Sequence, residues 1–215
     1  MRSAGTSIRA NRLDRRKART RQALIDAAVR LIAEGRGGRA SIQQITESAD
    51  IGFGSFYNHF SSKEELFQIA SEEVLERWAR MIDDACSGLS DPAEIFCVSL
   101  RISGRLIWTN PDIAGFVTGA GLGLLDASGG LAPRAFRDID AGRAAGRFTV
   151  TEPEVALSAV SGGLIGLLRR HERDPGMVEE ASVDELAESC LRFLGLDPME
   201  ARHLAHQPLP TAGSW

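Results

Sequence analysis

The sequence predicts an all-α protein, and three observations support this prediction. Apolar residues recur at helical spacing in several long stretches, for example over 24–32 and 183–194. Capping boxes, in which Ser or Thr is followed three residues later by Glu or Gln, precede several of these stretches. No stretch alternates apolar and polar residues as a half-buried strand does. With 215 residues the chain is long enough to bury a sizeable core.

Charge is distributed unevenly along the chain. The formal net charge is −4, which alone argues against a nucleic-acid partner. However, residues 1–60 hold 11 Lys and Arg against 5 Asp and Glu, whereas residues 61–215 hold 14 against 24. A basic N-terminal part joined to an acidic remainder is typical of a DNA-reading module attached to a domain that does not touch DNA.

The basic part begins with a segment that we expect to be a flexible arm, residues 1–13. A first helix should then run from about Asp14 to a C-cap at Gly35, because residues 24–32 form an apolar stripe. Its first turns carry several Arg and Lys residues, as expected of a helix end that lies near phosphate groups.

Residues 41–63 read as two short helices joined by a tight turn. Ser41 and Gln44 predict a capping box that starts the first helix, and Asp50 tolerates the left-handed backbone of the turn. In the second helix, Phe56 and Phe60 lie four residues apart and should face inward together. The polar residues left on the outer side are Ser55, Asn58 and His59. This arrangement is a helix-turn-helix, a motif that also occurs in proteins that bind no DNA.

The stretch resembles the DNA-binding signature of the TetR-type transcriptional regulators. The matching residues are Ser41, Ile45, Ala49, Ile51, Gly54, Ser55, Phe56, Tyr57, His59, Phe60, Lys63 and Leu66. Asp50 departs from the usual Gly, and Thr46 departs from the usual Ala. The resemblance assigns DNA phosphates to Ser41, Tyr57 and Lys63. It assigns the groove-facing side of the recognition helix to Gly52, Phe53, Ser55 and Asn58, while His59 can serve either face.

The predicted domains are a helix-turn-helix domain over 14–62 and a helical domain over 63–206, followed by a frayed tail over 207–215. The second domain should begin with a long helix from Lys63 to about Ala85. Further helices are expected over 92–108, 111–117, 130–145, 151–171 and 182–194, with a short one from Pro198. The long first helix has one end near the recognition helix and the other in the second domain.

Two functional surfaces are expected in the helical domain. Seven apolar residues are candidates to line an effector pocket, although each of them is as readily explained as core: Trp78, Ile82, Phe96, Leu100, Trp108, Phe116 and Phe136. The stretch 155–168 is apolar on all sides and should pack against a second copy of the chain, as in the TetR-type plan, or else form the centre of a monomeric bundle. The residues expected at the dimer interface are Val155, Gly162, Gly163, Gly166, Leu186, Cys190 and Leu194.

The resemblance therefore predicts a dimeric repressor that a small, largely apolar molecule releases from a pseudo-palindromic DNA operator. An architectural DNA-binding protein without an effector is the alternative. Catalysis is not expected, since the four His are scattered and no nucleophile, metal or cofactor pattern is present. Three Cys without metal spacing read as buried thiols, and the polar N-terminus lacks the features of a signal peptide, so we expect a cytoplasmic protein.

Overall fold

The structure is a computed structural model that describes residues 4–34, 36, 39–109, 111–126 and 129–210. For residues 4–13, 33, 74, 107, 112, 113 and 116 it describes the backbone alone. The expectations for residues 1–3, for Gly35 as a C-cap, for the side chain of Phe116 and for residues 211–215 lie outside this description.

The described residues form helices and contain no strand, which confirms the all-α prediction. The α-helices are α1 (Ala4–Ala33), α2 (Ile42–Ser48), α3 (Lys63–Cys86), α4 (Pro92–Thr109), α5 (Pro111–Ala120), α6 (Leu131–Ala144), α7 (Pro153–Arg173), α8 (Glu180–Leu194) and α9 (Pro198–Ala205). Short 3₁₀ helices occupy Phe53–Asn58, Gly121–Asp126 and Pro175–Met177. No helix in these described ranges is both long enough and apolar enough to cross a lipid bilayer.

The chain divides into two compact units, Met1–Glu73 and Val74–Trp215. The first unit has its own hydrophobic core, to which α1, α2, the 3₁₀ helix Phe53–Asn58 and the start of α3 all contribute. Its buried members are Leu24, Ile25, Ala28, Leu31, Ala40, Ile45, Phe56, Phe60, Leu66 and Ala70. The predicted apolar stripes of the first helix and of the helix-turn-helix therefore meet in one core.

The second unit contains the remaining helices, and its interior includes ion pairs between them. Arg101 of α4 is buried and donates to Asp184 of α8 (2.8 Å) and to the carbonyl of Gln207 (2.7 Å). Arg147 binds Asp91 through both carboxylate oxygens (2.9 and 2.8 Å) and also contacts Glu200. Each of these arginines has its neighbouring carboxylates within hydrogen-bond distance, so the charges are compensated where they are partly removed from water.

Several helix boundaries differ from the predicted ones. α1 begins at Ala4, whereas the sequence analysis treated residues 1–13 as an arm and began the helix at Asp14. Residues 4–13 include no proline, so the backbone can continue the helix towards the N-terminus. The boundary between the units falls after Glu73, within α3, whereas the predicted one lay before Lys63.

The C-terminal end of α8 lies where it was predicted, whereas the N-terminal end does not. Its capping box pairs Glu179 with Ser182, so Ser182 is the third helical residue, whereas the helix was predicted to begin at residue 182. Gly195 follows the helix with a φ of 106°, the left-handed conformation expected of a C-cap glycine. Hence the C-terminal end, which depends on one glycine, was predictable, and the N-terminal end was misplaced.

The three cysteines are buried and free, as the sequence analysis expected. Burial raises the pKa of the Cys97 thiol to about 12 and that of Cys190 to about 11. Burial also raises the pKa of Cys86. Because the thiolate is the reactive form, these thiols are poor nucleophiles at neutral pH.

Candidate functional site

The start of α2 and the turn that follows this helix both show the backbone features that the sequence predicted. Ser41 Oγ accepts from the Gln44 backbone N–H (3.2 Å), and Gln44 Oε1 accepts from the Ser41 N–H (2.9 Å). Asp50 has a φ of 54°, the left-handed backbone that short polar side chains tolerate. The Ile51 N–H then donates to the carbonyl of Thr46 (2.9 Å), which closes the turn.

The predicted second short helix is present as a 3₁₀ helix over Phe53–Asn58, which we call the recognition segment. Its i→i+3 hydrogen bonds include Ser55 N–H to the Gly52 carbonyl (2.8 Å) and His59 N–H to the Phe56 carbonyl (2.9 Å). The segment is short, and Gly52 and Gly54 favour helix poorly, which suits the 3₁₀ form.

Burial separates the two sides of this segment as the sequence predicted. Phe56 and Phe60 are buried, and their ring centroids lie 5.9 Å apart. Phe53 and Tyr57 are 53% and 57% exposed, which is unusual for such large apolar rings in an isolated chain. Gly52, Gly54 and Asn58 are exposed, and Ser55 is half-buried. The exposed side therefore offers both aromatic and polar groups to a partner.

A basic cleft lies beside the recognition segment. It is lined by Asp14, Lys17, Ala18 and Arg21 of α1 together with Asn58 and His59. Burial, followed by the charges of Lys17 and Arg21, lowers the pKa of His59, and its Nδ1 has no hydrogen-bond partner among the described residues. The Arg21 guanidinium also lies over the Phe60 ring, 5.2 Å from its centroid. The cleft thus concentrates positive charge beside the segment expected to read DNA.

The start of α3 completes this surface. The Glu65 carboxylate accepts from the backbone N–H of Ser61 (2.7 Å), while Ser62 Oγ accepts from the Glu65 N–H (3.1 Å). These two bonds cap the start of α3. Lys63 is the first helical residue and is half-buried. The helix N-terminus at Lys63 carries a partial positive charge, which favours an anion nearby.

A cavity of about 100 Å³ lies in the second unit, between α3, α4, α6 and α7. Four of the predicted effector residues line it: Trp78, Ile82, Phe96 and Leu100. The remaining apolar wall was not predicted and consists of Val117, Leu124, Leu125, Leu131, Ala132, Ala135, Val160, Leu164 and Ile165. Because these residues come from six helical segments, no short stretch of sequence encodes the cavity.

Two predicted effector residues do not line this cavity. Trp108 is 38% exposed and packs edge-on against His171, with ring centroids 5.2 Å apart. Phe136 is also exposed, since it lies on the opposite face of α6 from Ala135 and Asp138. The prediction that Trp108 and Phe136 line the pocket is therefore corrected: neither contributes to the cavity wall.

The polar part of the cavity wall includes three charged residues and three serines. The charged residues are Asp83, Arg134 and Asp138, and the serines are Ser99, Ser103 and Ser161. Arg134 donates to Glu76 through Nη1 and Nη2 (both 3.0 Å) and to Asp83 through Nε (2.6 Å). The positive charge of Arg134 is therefore already compensated by carboxylates.

Asp138 is the buried acid of this wall. The Arg137 Nε and Nη2 both donate to its Oδ1 (3.0 and 2.9 Å). Burial raises the pKa of Asp138, because a charged carboxylate is less stable away from water. The sequence could have indicated this buried acid. Asp138 follows Leu131 and Ala135 at helical spacing, so its carboxylate lies on the apolar stripe of α6.

The residues predicted for a dimer interface fall into two groups. Cys190 and Leu194 are buried within the protomer, and Gly163 faces α8 of the same chain, where an added Cβ would lie 3.1 Å from Leu186 Cδ1. Their small size or apolar character is thus already explained by packing inside one protomer. By contrast, Gly162 and Gly166 are exposed on α7.

Large apolar side chains accompany these exposed glycines. Val155 of α7 is 62% exposed, and Phe193 of α8, which the sequence analysis did not single out, is 54% exposed. α7 is therefore not buried on all sides by its own protomer, contrary to what its composition suggested for a monomeric bundle. Exposed apolar residues on neighbouring helices mark a surface that favours association.

Models of two known families match the chain. Residues 24–69 match the family described as bacterial regulatory proteins, tetR family. Residues 91–207 match the family described as tetracyclin repressor-like, C-terminal domain. The second match alone covers more than half of the chain, and the first includes the whole helix-turn-helix. The chain belongs to the TetR family.

Solved structures support this membership over nearly the full length. The ligand-free crystal structure of RolR is 34% identical, covers 90% of this chain and all of its own, and has a TM-score of 0.74. Its complex with the ligand resorcinol is 32% identical, covers 93% of this chain and has a TM-score of 0.73. FadR of Bacillus subtilis with stearoyl-CoA, at 16% identity and a TM-score of 0.60, shares the fold alone.

A curated relative matches over a shorter segment. The nicotine-responsive transcriptional repressor HdnoR of Paenarthrobacter nicotinovorans is 35% identical over 71 residues. This segment is 33% of the present chain and 37% of HdnoR. The match supports the TetR-family assignment and, because it spans little more than a third of HdnoR, carries no information about the rest of that repressor.

One cluster of potential metal ligands lies outside the surfaces described above. In the described part of this TetR-family chain, one ligand atom from each of Glu185, Glu188 and His206 lies within 4.8 Å of the others. His206 Nε2 is already 3.3 Å from Glu188 Oε2. Exposed groups of this kind are common on protein surfaces, and we assign no function to them.

Proposed function

We propose that this TetR-family regulator is a dimeric repressor that leaves a pseudo-palindromic operator when a small, largely apolar effector fills the cavity. The observation that carries the proposal is that α3 contributes residues to two separate sites. This helix begins with Lys63, next to the recognition segment, and further along contributes Trp78 and Ile82 to the cavity wall. One helix thus supplies residues to both the candidate DNA-binding surface and the candidate effector site.

For DNA recognition, we propose that Ser41, Tyr57 and Lys63 contact phosphates. Gly52, Phe53, Ser55 and Asn58 would face the major groove, and the exposure of Phe53 and Asn58 supports this role. Phosphate contacts fix the position of a protein on the duplex, whereas side chains that reach base edges select the sequence. His59 borders the basic cleft and is assigned to the phosphate side of the surface.

For dimerisation, we propose that α7 and α8 pack against the same helices of a second copy. The exposed residues that support this proposal are Val155, Gly162, Gly166 and Phe193, together with the half-buried Leu186. Small residues on α7 permit close approach of a partner helix, and Phe193 supplies apolar area. A two-fold dimer would present two recognition segments to two half-sites, which explains why a pseudo-palindrome is expected.

For effector release, we propose that a bound ligand changes the position of α3 and thereby weakens operator binding. RolR has been crystallised with the ligand resorcinol, and HdnoR is named as nicotine-responsive, so a small ring compound is linked to each of these relatives. To lower operator affinity about 100-fold, the ligand must prefer the released form by roughly 2.7 kcal/mol.

The test begins with selection of an operator from random duplex DNA by the full-length protein. The expected result is an inverted repeat whose half-sites are separated by whole helical turns. Operator titrations are then repeated with members of a small-ring library that raise the melting temperature. A ligand that raises the melting temperature and shifts the titration at the same concentration supports the proposal.

Two outcomes would contradict the proposal in different ways. Selection of many unrelated weak sites would favour an architectural DNA-binding protein. Stabilising ligands that leave every operator titration unchanged would show that the cavity binds molecules without controlling DNA affinity. In the second case the DNA-binding assignment would stand and the effector mechanism would not.

A further inference from the structure

The basic cleft between α1 and His59 has the charge of an anion-binding site, and its assignment to DNA rests on the proposed function of the first unit. Lys17 and Arg21 line the cleft from α1, and His59 lines it at the end of the recognition segment. In the part of the chain that the structure describes, neither Lys17 nor Arg21 forms an ion pair with a carboxylate. Arg147 of the second unit, by contrast, binds Asp91 through both carboxylate oxygens. The cleft therefore holds two positive charges that are not compensated.

The cleft is large enough for a phosphate group, and one of its cations is held in place. Its volume is about 390 Å³, which admits a phosphate together with several waters, each of which occupies about 30 Å³ in the liquid. The Arg21 guanidinium lies over the Phe60 ring, 5.2 Å from its centroid, and this cation–π contact holds it beside the cleft. Lys17 is exposed and can adjust to an incoming anion.

Two carboxylates lie near these cations without forming an ion pair with them. Asp14 also lines the cleft from α1 and is exposed to solvent. Glu65 belongs to α3, and hydrogen bonds from the hydroxyl and the N–H of Ser61, followed by the charge of Arg21, lower its pKa. The Glu65 carboxylate is therefore already bound to Ser61, and the positive charge of the cleft remains available to a ligand.

His59 is placed so that its own charge depends on what occupies the cleft. Its Nδ1 is enclosed by protein and has no hydrogen-bond partner among the described residues, which leaves Nε2 as the ring nitrogen that a ligand can reach. Burial, followed by the charges of Lys17 and Arg21, lowers the pKa of His59 below its ordinary value of 6.5. The imidazole is therefore mostly neutral at pH 7, and an anion beside Nε2 favours its protonated form.

We propose that the cleft binds one phosphate group of the DNA backbone between Lys17, Arg21 and His59 Nε2, and that protonation of His59 strengthens this contact. The contact is additional to the three phosphate contacts that the family resemblance assigns. Asn58 also lines the cleft, so a phosphate held there fixes the position of a side chain proposed to read bases.

The proposed contact makes DNA affinity depend on pH in a defined direction. At alkaline pH the His59 ring is neutral with or without DNA, and Nε2–H donates as a neutral group. As the pH falls towards the pKa of the complex, DNA binding takes up a proton on His59. Binding and protonation favour each other equally, so the affinity for DNA rises as the pH falls.

The first experiment measures the affinity of the full-length protein for a mixed-sequence duplex of about 30 base pairs, because phosphate contacts do not depend on sequence. Lowering the pH from 7.5 to 5.5 should raise the affinity about three- to tenfold, since a pKa change of one unit corresponds to a factor of about ten. In His59→Gln, which does not titrate, most of this rise should be lost, and the affinity at pH 7.5 should fall about threefold. His203→Gln replaces an exposed histidine of the second unit and should keep the full rise.

The second experiment tests the cations of the cleft at constant pH. Lys17→Gln should weaken duplex binding about tenfold and lower the slope of log affinity against log salt by up to about 0.9. Arg19→Gln is the matched control, because Arg19 is an exposed cation of α1 that does not line the cleft. It lies two residues from both Lys17 and Arg21, and therefore on another side of the helix. Its effect on affinity should be less than about threefold.

An equal rise of affinity in wild type and His59→Gln would overturn the proposal, and so would equal losses in Lys17→Gln and Arg19→Gln. Circular dichroism checks that each variant folds, and His59→Asn replaces His59→Gln if the latter does not. A protein that binds no duplex at any pH would refute the proposed DNA-binding function together with this site. Duplex binding that is insensitive to all of these substitutions would refute the cleft site alone.

Discussion

The recognition segment of the first unit and the cavity of the second unit use aromatic residues in opposite ways. In the first unit, Phe53 and Tyr57 of the recognition segment are more than half exposed. In the second unit, Trp78 and Phe96 are buried around an internal cavity. The first unit therefore presents a surface to a large partner, whereas the second encloses space for a small one.

This difference determines how each function can be tested. A surface site depends on a few side chains that point outward, so replacing one of them changes binding and leaves the fold intact. A cavity depends on packing, so most replacements there alter stability and binding together. The following predictions, from the largest expected effect to the smallest, test whether the two regions behave in these two ways.

The largest effect is expected from Gly162→Glu on the exposed face of α7. A Cβ added at Gly162 meets no atom within 4 Å, so the protomer accommodates the new side chain. At the proposed dimer interface, however, an unpaired charge would be buried at a cost of several kcal/mol. Light scattering should show monomers, and operator binding should be lost although circular dichroism shows an unchanged helix content.

Gly88→Glu is the matched control for that variant, because Gly88 also has no atom within 4 Å of an added Cβ and lies outside α7 and α8. It should remain dimeric. A Gly162→Glu protein that stays dimeric at micromolar concentration would show that this face of α7 is not the interface.

The second effect concerns the first unit alone. Asn58→Ala should change which bases are preferred, with a loss of about 1–3 kcal/mol on the original operator. Lys63→Ala should instead weaken binding to all sequences similarly and reduce the slope of log affinity against log salt by about 0.9. Selection experiments and salt titrations on the two variants separate these outcomes, and an unchanged selected sequence for Asn58→Ala would mean that Asn58 does not read bases.

The contrast between surface and cavity also explains how much the sequence could predict. The helix-turn-helix was predictable because its determinants are local: Ser41 and Gln44 form the expected box, Asp50 adopts the expected left-handed turn, and Phe56 and Phe60 are buried. The 3₁₀ form of the recognition segment was not predicted, since the choice between a 3₁₀ and an α-helix over six residues depends on tertiary packing.

The cavity was only partly predictable, because its wall depends on the rotation of each helix. Trp108 and Phe136 were chosen for their aromatic rings, yet both lie on exposed faces. In α8, apolar Cys190 and Leu194 resembled interface residues, but the protomer itself buries them, and the exposed Phe193 between them was overlooked. A helical stripe indicates which residues are buried together without indicating whether a helix of the same chain or of another one covers them.

The third effect compares two carboxylates of the second unit by the pH dependence of stability. Hydrogen bonds from Arg147 lower the pKa of Asp91, whereas burial raises the pKa of Asp138. Asp91 therefore contributes stability above its unfolded pKa that is lost as the pH falls through the folded value. Asp138 contributes stability only below its unfolded pKa, and loses it as the pH rises through the folded value.

At pH 7, Asp91→Asn should consequently lower the free energy of unfolding by about 0.5–1 kcal/mol. Asp138→Asn should raise it, since the amide avoids burial of a charge. Both differences should shrink towards zero in acid, where the wild-type carboxylates become protonated. Denaturant titrations of wild type and both variants at pH 7 and pH 3 measure these differences in the free energy of unfolding. A loss of stability in Asp138→Asn at pH 7 would show that the ion pair with Arg137 outweighs the cost of burying the Asp138 charge.

The smallest effect is expected from Trp78→Phe, which tests whether the Trp78 N–H takes part in effector binding. Trp78 is fully buried on the cavity wall, and its Nε1 has no hydrogen-bond partner among the described residues. Removing an unsatisfied buried donor stabilises the protein, while the smaller ring loses packing contacts, and the two terms have similar size. The free energy of unfolding should therefore change by less than about 1 kcal/mol.

Trp108→Phe makes the same replacement at a residue outside the cavity and serves as the control. Because the indole is enclosed by protein, library compounds that bind the cavity should lose less than about threefold in affinity in both variants. A tenfold loss in Trp78→Phe alone would show that the cavity opens around the indole when the ligand binds, and that the Trp78 N–H takes part in ligand recognition.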